Sequence, residues 1–134
     1  FKEGLIFGED MHAAARLLLA GYKIAYVADA KVYHSHNYTI LQDFKRYFDM
    51  GVFHKTENWL IKEFGKAGQH GLAYVRSELA FLLRRKRLDL LPGFLVRIAA
   101  KYLGYFLGRQ YKLLPRRIAK RLSMNPNWWN RRHA

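Results

Sequence analysis

Cysteine is absent from this chain of 134 residues. That excludes a disulfide framework and a thiolate metal site, and it agrees with a reducing compartment. The first residues carry no basic flank followed by an apolar run, so they do not read as a secretory signal peptide. Long uncharged apolar runs are also missing. The longest toward the C-terminus, residues 90–96 and 102–108, are seven residues each and are broken by Arg97 and Lys101. A conventional transmembrane helix needs about 18 such residues, so none is expected. Internal repeats and low-complexity segments are absent. Acidic residues are scarce in one part only. Residues 1–52 hold six Lys/Arg and six Asp/Glu, which leaves 18 of the 24 cations and four of the ten acids in residues 53–134. A neutral front and a back with net charge +14 suggest two tasks. The basic part should face phosphates of lipid, nucleic acid or a lipid-linked substrate.

The length allows one domain at most, with a core of useful size. An acidic motif appears within ten residues of Phe1 with no strand before it. The expectation is the C-terminal part of something larger.

Residues 9–20 read as a helix. Met11, Ala14, Ala15, Leu18 and Leu19 repeat at helical spacing. Glu9 and Asp10 occupy the first turn, and Gly21 is a natural stop. Residues 22–27 alternate as a strand does, 28–30 form a tight link, and 31–36 read as a second short strand with Val32, His34 and His36 on one side. Thr39 and Gln42 form a capping box for a helix to about Met50. Gly51 is expected to interrupt it, and residues 52–64 resume the helical pattern. Further helices are expected over 70–87, from Pro92 to Leu114, and from Pro115 to Ser123. Trp128 and Trp129 follow a turn and look exposed. On the helix after Pro92, Arg97, Lys101, Gly104, Gly108, Arg109 and Lys112 share one side. Leu95, Ala99, Tyr102, Leu103, Phe106 and Leu113 share the other.

On local grounds the acid pair is ordinary helix capping, and His-x-His is a pair of polar strand-edge residues. Their joint context says more. Gly8-Glu9-Asp10, Arg16, Ala20-Gly21-Tyr22-Lys23-Ile24 and Ala28-Asp29-Ala30-Lys31-Val32-Tyr33-His34 follow one another in order. Together they resemble the C-terminal half of the catalytic domain of family 2 glycosyltransferases, inverting enzymes of GT-A fold. The continuation, His34-Ser35-His36-Asn37-Tyr38-Thr39 and Lys45-Arg46-Tyr47-Phe48-Asp49-Met50-Gly51, resembles bacterial rhamnosyltransferase-type members that build surface polysaccharides. The resemblance covers about residues 3–55 and is only general beyond.

The resemblance implies roles. Asp10 would be the catalytic base, taking the proton of an acceptor hydroxyl as that oxygen attacks the anomeric carbon. Glu9 would orient the acceptor or Asp10. His34 would help hold a divalent ion, Mg²⁺ or Mn²⁺, on the donor diphosphate. His36 would either support the metal ligand from behind or touch the diphosphate as a substrate contact, and Arg46 would touch a substrate phosphate, although an outward, solvated Arg46 fits the sequence equally well. A nucleotide-sugar donor and a glycan or polyprenyl-linked acceptor are the implied partners. The family's D-x-D motif and nucleotide-binding strands are not in this chain, so the chain alone is expected to be inactive.

The basic helices with their apolar faces have the pattern of an interfacial helix on an anionic bilayer. The other reading packs the apolar face on the domain and leaves the cations solvated. Nucleic-acid binding is suggested by charge alone, and no recognition signature supports it. The expected fold class is α+β, mostly α. Residues 1–55 form the C-terminal part of a GT-A α/β domain, a helix plus a short β-hairpin. Residues 56–134 form a basic region of several amphipathic helices. The expected function is sugar transfer, with rhamnose a candidate, in polysaccharide biosynthesis. The expected location is cytoplasmic, peripheral at the inner face of the plasma membrane, with homo-oligomerisation open. The alternative is a basic module that binds membrane or nucleic acid without catalysis.

Overall fold

The structure is a computed structural model that describes residues 2–34, 36–65 and 68–130. Its elements are α1 (Glu9–Leu19), α2 (Ile40–Thr56), α3 (Asn58–Phe64), α4 (Gly68–Arg84), α5 (Leu91–Arg109) and α6 (Arg116–Leu122). Short 3₁₀ turns lie at Leu88–Leu90, Tyr111–Leu113 and Trp128–Asn130. No strand occurs among the described residues, so the expected GT-A α/β architecture and its β-hairpin are corrected to an all-helical fold. Residues 22–34 instead run as an irregular exposed segment, with a turn closed by Ala30 N to Val27 O at 3.1 Å. Ser35 of the proposed second strand lies outside the described residues. The physical reason is that a lone two-stranded hairpin is marginal in water without a third strand or a packing face. Tyr26 is 93% exposed and Val27, on the opposite face, 60%, so neither face of the alternating pattern is covered.

The helical readings fare better. Thr39 and Gln42 form the complete capping box at the start of α2. Gly51 does not interrupt α2, which continues to Thr56. Glycine in a helix costs about 1 kcal/mol against alanine. Here it admits a neighbour. A Cβ at Gly51, Gly104 or Gly108 would come within 3.0 Å of backbone of the facing helix. The three glycines let α2 and α5 touch backbone to backbone, as small residues do in close helix pairs.

The core contains Ile6, Ala15, Phe48, Val52, Phe53, Leu60, Ala119 and Trp129. It draws on both sides of residue 55. Burying side chains of the size of Phe48 and Phe53 stabilises the fold by about 1.5–3 kcal/mol each. The indoles expected at the surface are packed: Trp129 is 7% exposed, and Trp128 packs against the same core. Their spacing is too short for helical periodicity to reveal a buried face.

The sides of α5 are disposed in an unexpected way. Arg97 pairs with the buried Asp43 of α2. Lys101 Nζ lies 5.5 Å from the Tyr47 ring centroid, and Arg109 donates to the His54 carbonyl. The basic–glycine side faces α2. The apolar side, with Leu95, Tyr102, Leu103 and Phe106, is exposed. The helical stretch Leu88–Arg109, 22 residues, is also long and apolar enough to cross a membrane by length and composition. Arg97 and Lys101 interrupt the uncharged run without dominating its average hydropathy, so run length alone does not show this property.

Candidate functional site

Gly8 starts the site. Its φ of 74° places it in the left-handed region, which glycine reaches without a Cβ clash. A Cβ there would also lie 2.8 Å from the Phe53 ring. The chain therefore turns sharply off the core and enters α1 at Glu9. Glu9 and Asp10 are exposed in the first turn, where the helix dipole favours negative charge. Asp10 Oδ1 accepts from the Met11 amide at 2.8 Å.

Glu9 and Asp10 border an open cleft of about 670 Å³ that Ile6, Phe7, Gly8, Arg46 and Asn125 also line. Arg46 comes from α2 and is half-buried. Its guanidinium carbon is 5.0 Å from the Phe7 ring centroid and 5.6 Å from that of Tyr38. Its Nη1 donates to the Tyr38 hydroxyl at 3.4 Å. Two rings hold the cation at the cleft, an arrangement suited to a planar guanidinium.

Tyr38 continues the row. His36 stacks on it at 4.9 Å with an interplanar angle of 5°, and His34 meets His36 edge-on at 4.3 Å. The base of the row is fixed by Arg97 Nη1, which donates to the Tyr38 carbonyl at 2.9 Å. The order His34, His36, Tyr38, Arg46, Phe7 thus ends beside the two carboxylates. The fold brings Glu9, Asp10 and Arg46 to one cleft and links His36 to it through Tyr38. His34 stands at the far end, exposed.

A divalent ion needs more than this row. Among the described residues, no group of three His, Cys, Asp or Glu is placed to hold a metal. Two imidazoles without a carboxylate are a poor set for Mg²⁺, which demands octahedral oxygen ligation. The described residues do not form a metal centre on their own.

The cleft is supported from the far end of the chain. Asn125 Nδ2 donates to the Ile6 carbonyl at 3.0 Å and to Asp49 Oδ2 at 3.1 Å. Asp49 Oδ2 also accepts from the Met124 and Asn125 amides at 3.0 and 3.1 Å. Burial raises the Asp49 pKa above its usual value, opposed by hydrogen bonds from Ser123, Met124 and Asn125. On the other side of α1, Glu57 accepts from Lys2 Nζ at 2.6 Å and Trp59 Nε1 at 2.8 Å. His12 Nε2 lies 3.7 Å away. Burial would raise the Glu57 pKa, but the Lys2 and Trp59 hydrogen bonds and the Lys2 and His12 charges outweigh it and hold it low.

The chain is similar to two longer bacterial proteins. It is 48% identical over 130 residues to the O-antigen chain rhamnosyltransferase WbaN of Salmonella anatum. It is 45% identical over 130 residues to the O-antigen chain rhamnosyltransferase RfbN of Salmonella typhimurium. Each match covers 97% of this chain and 41% of the relative, so the chain spans about two fifths of the length of the curated relatives it matches. No protein-family model matches, and no solved structure matches. The similarity runs past residue 55, where the resemblance in the sequence is only general. It takes in both the carboxylate pair and the helices that support it.

Phe7, Tyr38 and Asn125 escape a reading of the sequence as site residues. Tyr38 carries a signal, since it follows His36 at the two-residue spacing that already joins His34 to His36. Asn125 carries none, being 76 residues from the aspartate it binds.

Proposed function

We propose that this chain is part of a glycosyltransferase that transfers a sugar, in our reading rhamnose, during polysaccharide biosynthesis. The donor is a nucleotide sugar, and the acceptor is a glycan or polyprenyl-linked glycan at the cytoplasmic face of the membrane. The observation that carries this is the identity of 45–48% to two O-antigen chain rhamnosyltransferases across 97% of the chain.

In this reading Asp10 is the general base. It takes the proton from the acceptor hydroxyl as that oxygen bonds to the anomeric carbon. The bond from that carbon to the nucleotide diphosphate breaks on the opposite face, which inverts the centre. Glu9 orients the acceptor hydroxyl. Arg46, fixed between Phe7 and Tyr38, stabilises charge on the departing diphosphate, and His36 donates to the same group. His34 would be a single ligand to a divalent ion, with the others supplied from outside the described residues.

The test is Asp10→Asn in the full protein. Turnover is expected to fall by at least about a hundredfold, with donor affinity within about twofold. Turnover near wild type would remove Asp10 from the base role. The 134 residues alone are expected not to bind a sugar nucleotide. Micromolar affinity by calorimetry would show that they hold the donor site themselves.

A further inference from the structure

The exposed apolar side of α5 has no occupant within the described residues. Leu95, Tyr102, Leu103 and Phe106 lie along one stripe and are 48–72% exposed. The stripe extends through Leu88, which is also exposed. The cations of α5 are not on this side, because Arg97, Lys101 and Arg109 are engaged with α2. Exposed cations instead flank the stripe. Arg84, Arg85 and Lys86 precede it, and Lys112, Arg117 and Arg121 follow it.

We propose that this apolar side of α5 lies flat on an anionic lipid bilayer, with the flanking cations at headgroup level. The orientation is the reverse of a helix that meets the membrane with a basic face. Charge complementarity selects the occupant. A second copy would bring the same flanking cations against these, whereas anionic headgroups attract them. Nucleic acid would leave the apolar stripe in water. The helix cannot leave the plane of the surface. Gly51, Gly104 and Gly108 lock it along α2, and crossing would carry Asp43, Arg46 and Asp49 of α2 into hydrocarbon. A helix with one apolar side and charged ends settles at the interface instead. The proposal does not depend on the sugar-transfer reading.

The test is vesicle flotation of the full protein with phosphatidylglycerol/phosphatidylcholine vesicles and with phosphatidylcholine alone. Co-flotation with the anionic vesicles is expected. Leu103→Glu with Phe106→Glu should reduce it by at least about tenfold, with the helical circular dichroism unchanged because both side chains point outward. Wild-type flotation of this double variant would overturn the proposal. So would failure of the wild type to float, or a dimer in light scattering that the double variant abolishes. A second measurement avoids any question of folding. Leu95→Cys, labelled with an environment-sensitive fluorophore, should shift to the blue on anionic vesicles; an unshifted spectrum would overturn the proposal.

Discussion

Asn125 holds Asp49 with both its backbone amide and its side-chain amide, each at 3.1 Å, and from the same side chain reaches the Ile6 carbonyl at 3.0 Å. One residue of the C-terminal tail thus joins α2 to the segment that delivers Glu9 and Asp10. Asn125→Ala removes the two side-chain bonds, to the buried Asp49 carboxylate and to the Ile6 carbonyl, and leaves the backbone amide bond in place, with a cost of about 1–3 kcal/mol. Urea unfolding should show a lower midpoint, and a midpoint equal to wild type would deny this joint its role.

The glycines of α5 are not equivalent. Gly108→Ala drives a methyl into the Phe48 carbonyl and should destabilise by about 1–3 kcal/mol or more. Gly93→Ala meets nothing within 4 Å and should stabilise by up to about 1 kcal/mol. Thermal melts of the two variants should move in opposite directions.

Arg46→Lys keeps the charge at the cleft but loses the planar group seated between Phe7 and Tyr38. In the full protein, the proposed contact to the diphosphate predicts a donor KM raised by about tenfold, with kcat changed less. An unchanged donor KM would make Arg46 structural.

His54 gives the fold a defined response to acid. Burial, and then the Arg109 charge, lowers its pKa below 6.5, so the folded state prefers the neutral ring. As pH falls below 6.5 the unfolded chain takes up the proton first, and stability is lost toward the folded pKa. Glu57, whose pKa is lowered from 4.5, loses its contribution only below that value. Asp49, whose pKa is raised, works in the other direction and costs stability as pH rises through its folded value. His54→Gln should therefore show a smaller drop in urea midpoint than wild type between about pH 7.5 and about pH 5.5. Equal drops would assign the acid response to another group.

Trp129→Ala should cost about 3–5 kcal/mol, because the ring packs among Phe48, Tyr111 and Trp128. The check is chemical denaturation. A loss below about 1 kcal/mol would return the indole to the surface.

The sequence by itself determined where helices form and several of their ends, although Gly51 does not break α2 and α5 stops at Arg109, short of the expected Leu114. The Thr39 and Gln42 capping box, Gly21 after α1 and Pro92 in the first turn of α5 are local chemistry, and local chemistry is written in neighbouring residues. It also marked Glu9, Asp10, His34, His36 and Arg46 as the group to watch. Only the tertiary structure decided the rest. Alternation in residues 22–36 specifies which side chains would share a strand face, but not whether another strand exists to cover it, and no strand forms among the described residues. Periodicity separated the two sides of α5 without saying which would be buried. That was decided by Gly51, Gly104 and Gly108, because close backbone contact depends on the absence of side chains on two helices at once. Asn125 became part of the site for a similar reason: a hydrogen bond spanning 76 residues leaves no trace in spacing, and only folding brings its partners together.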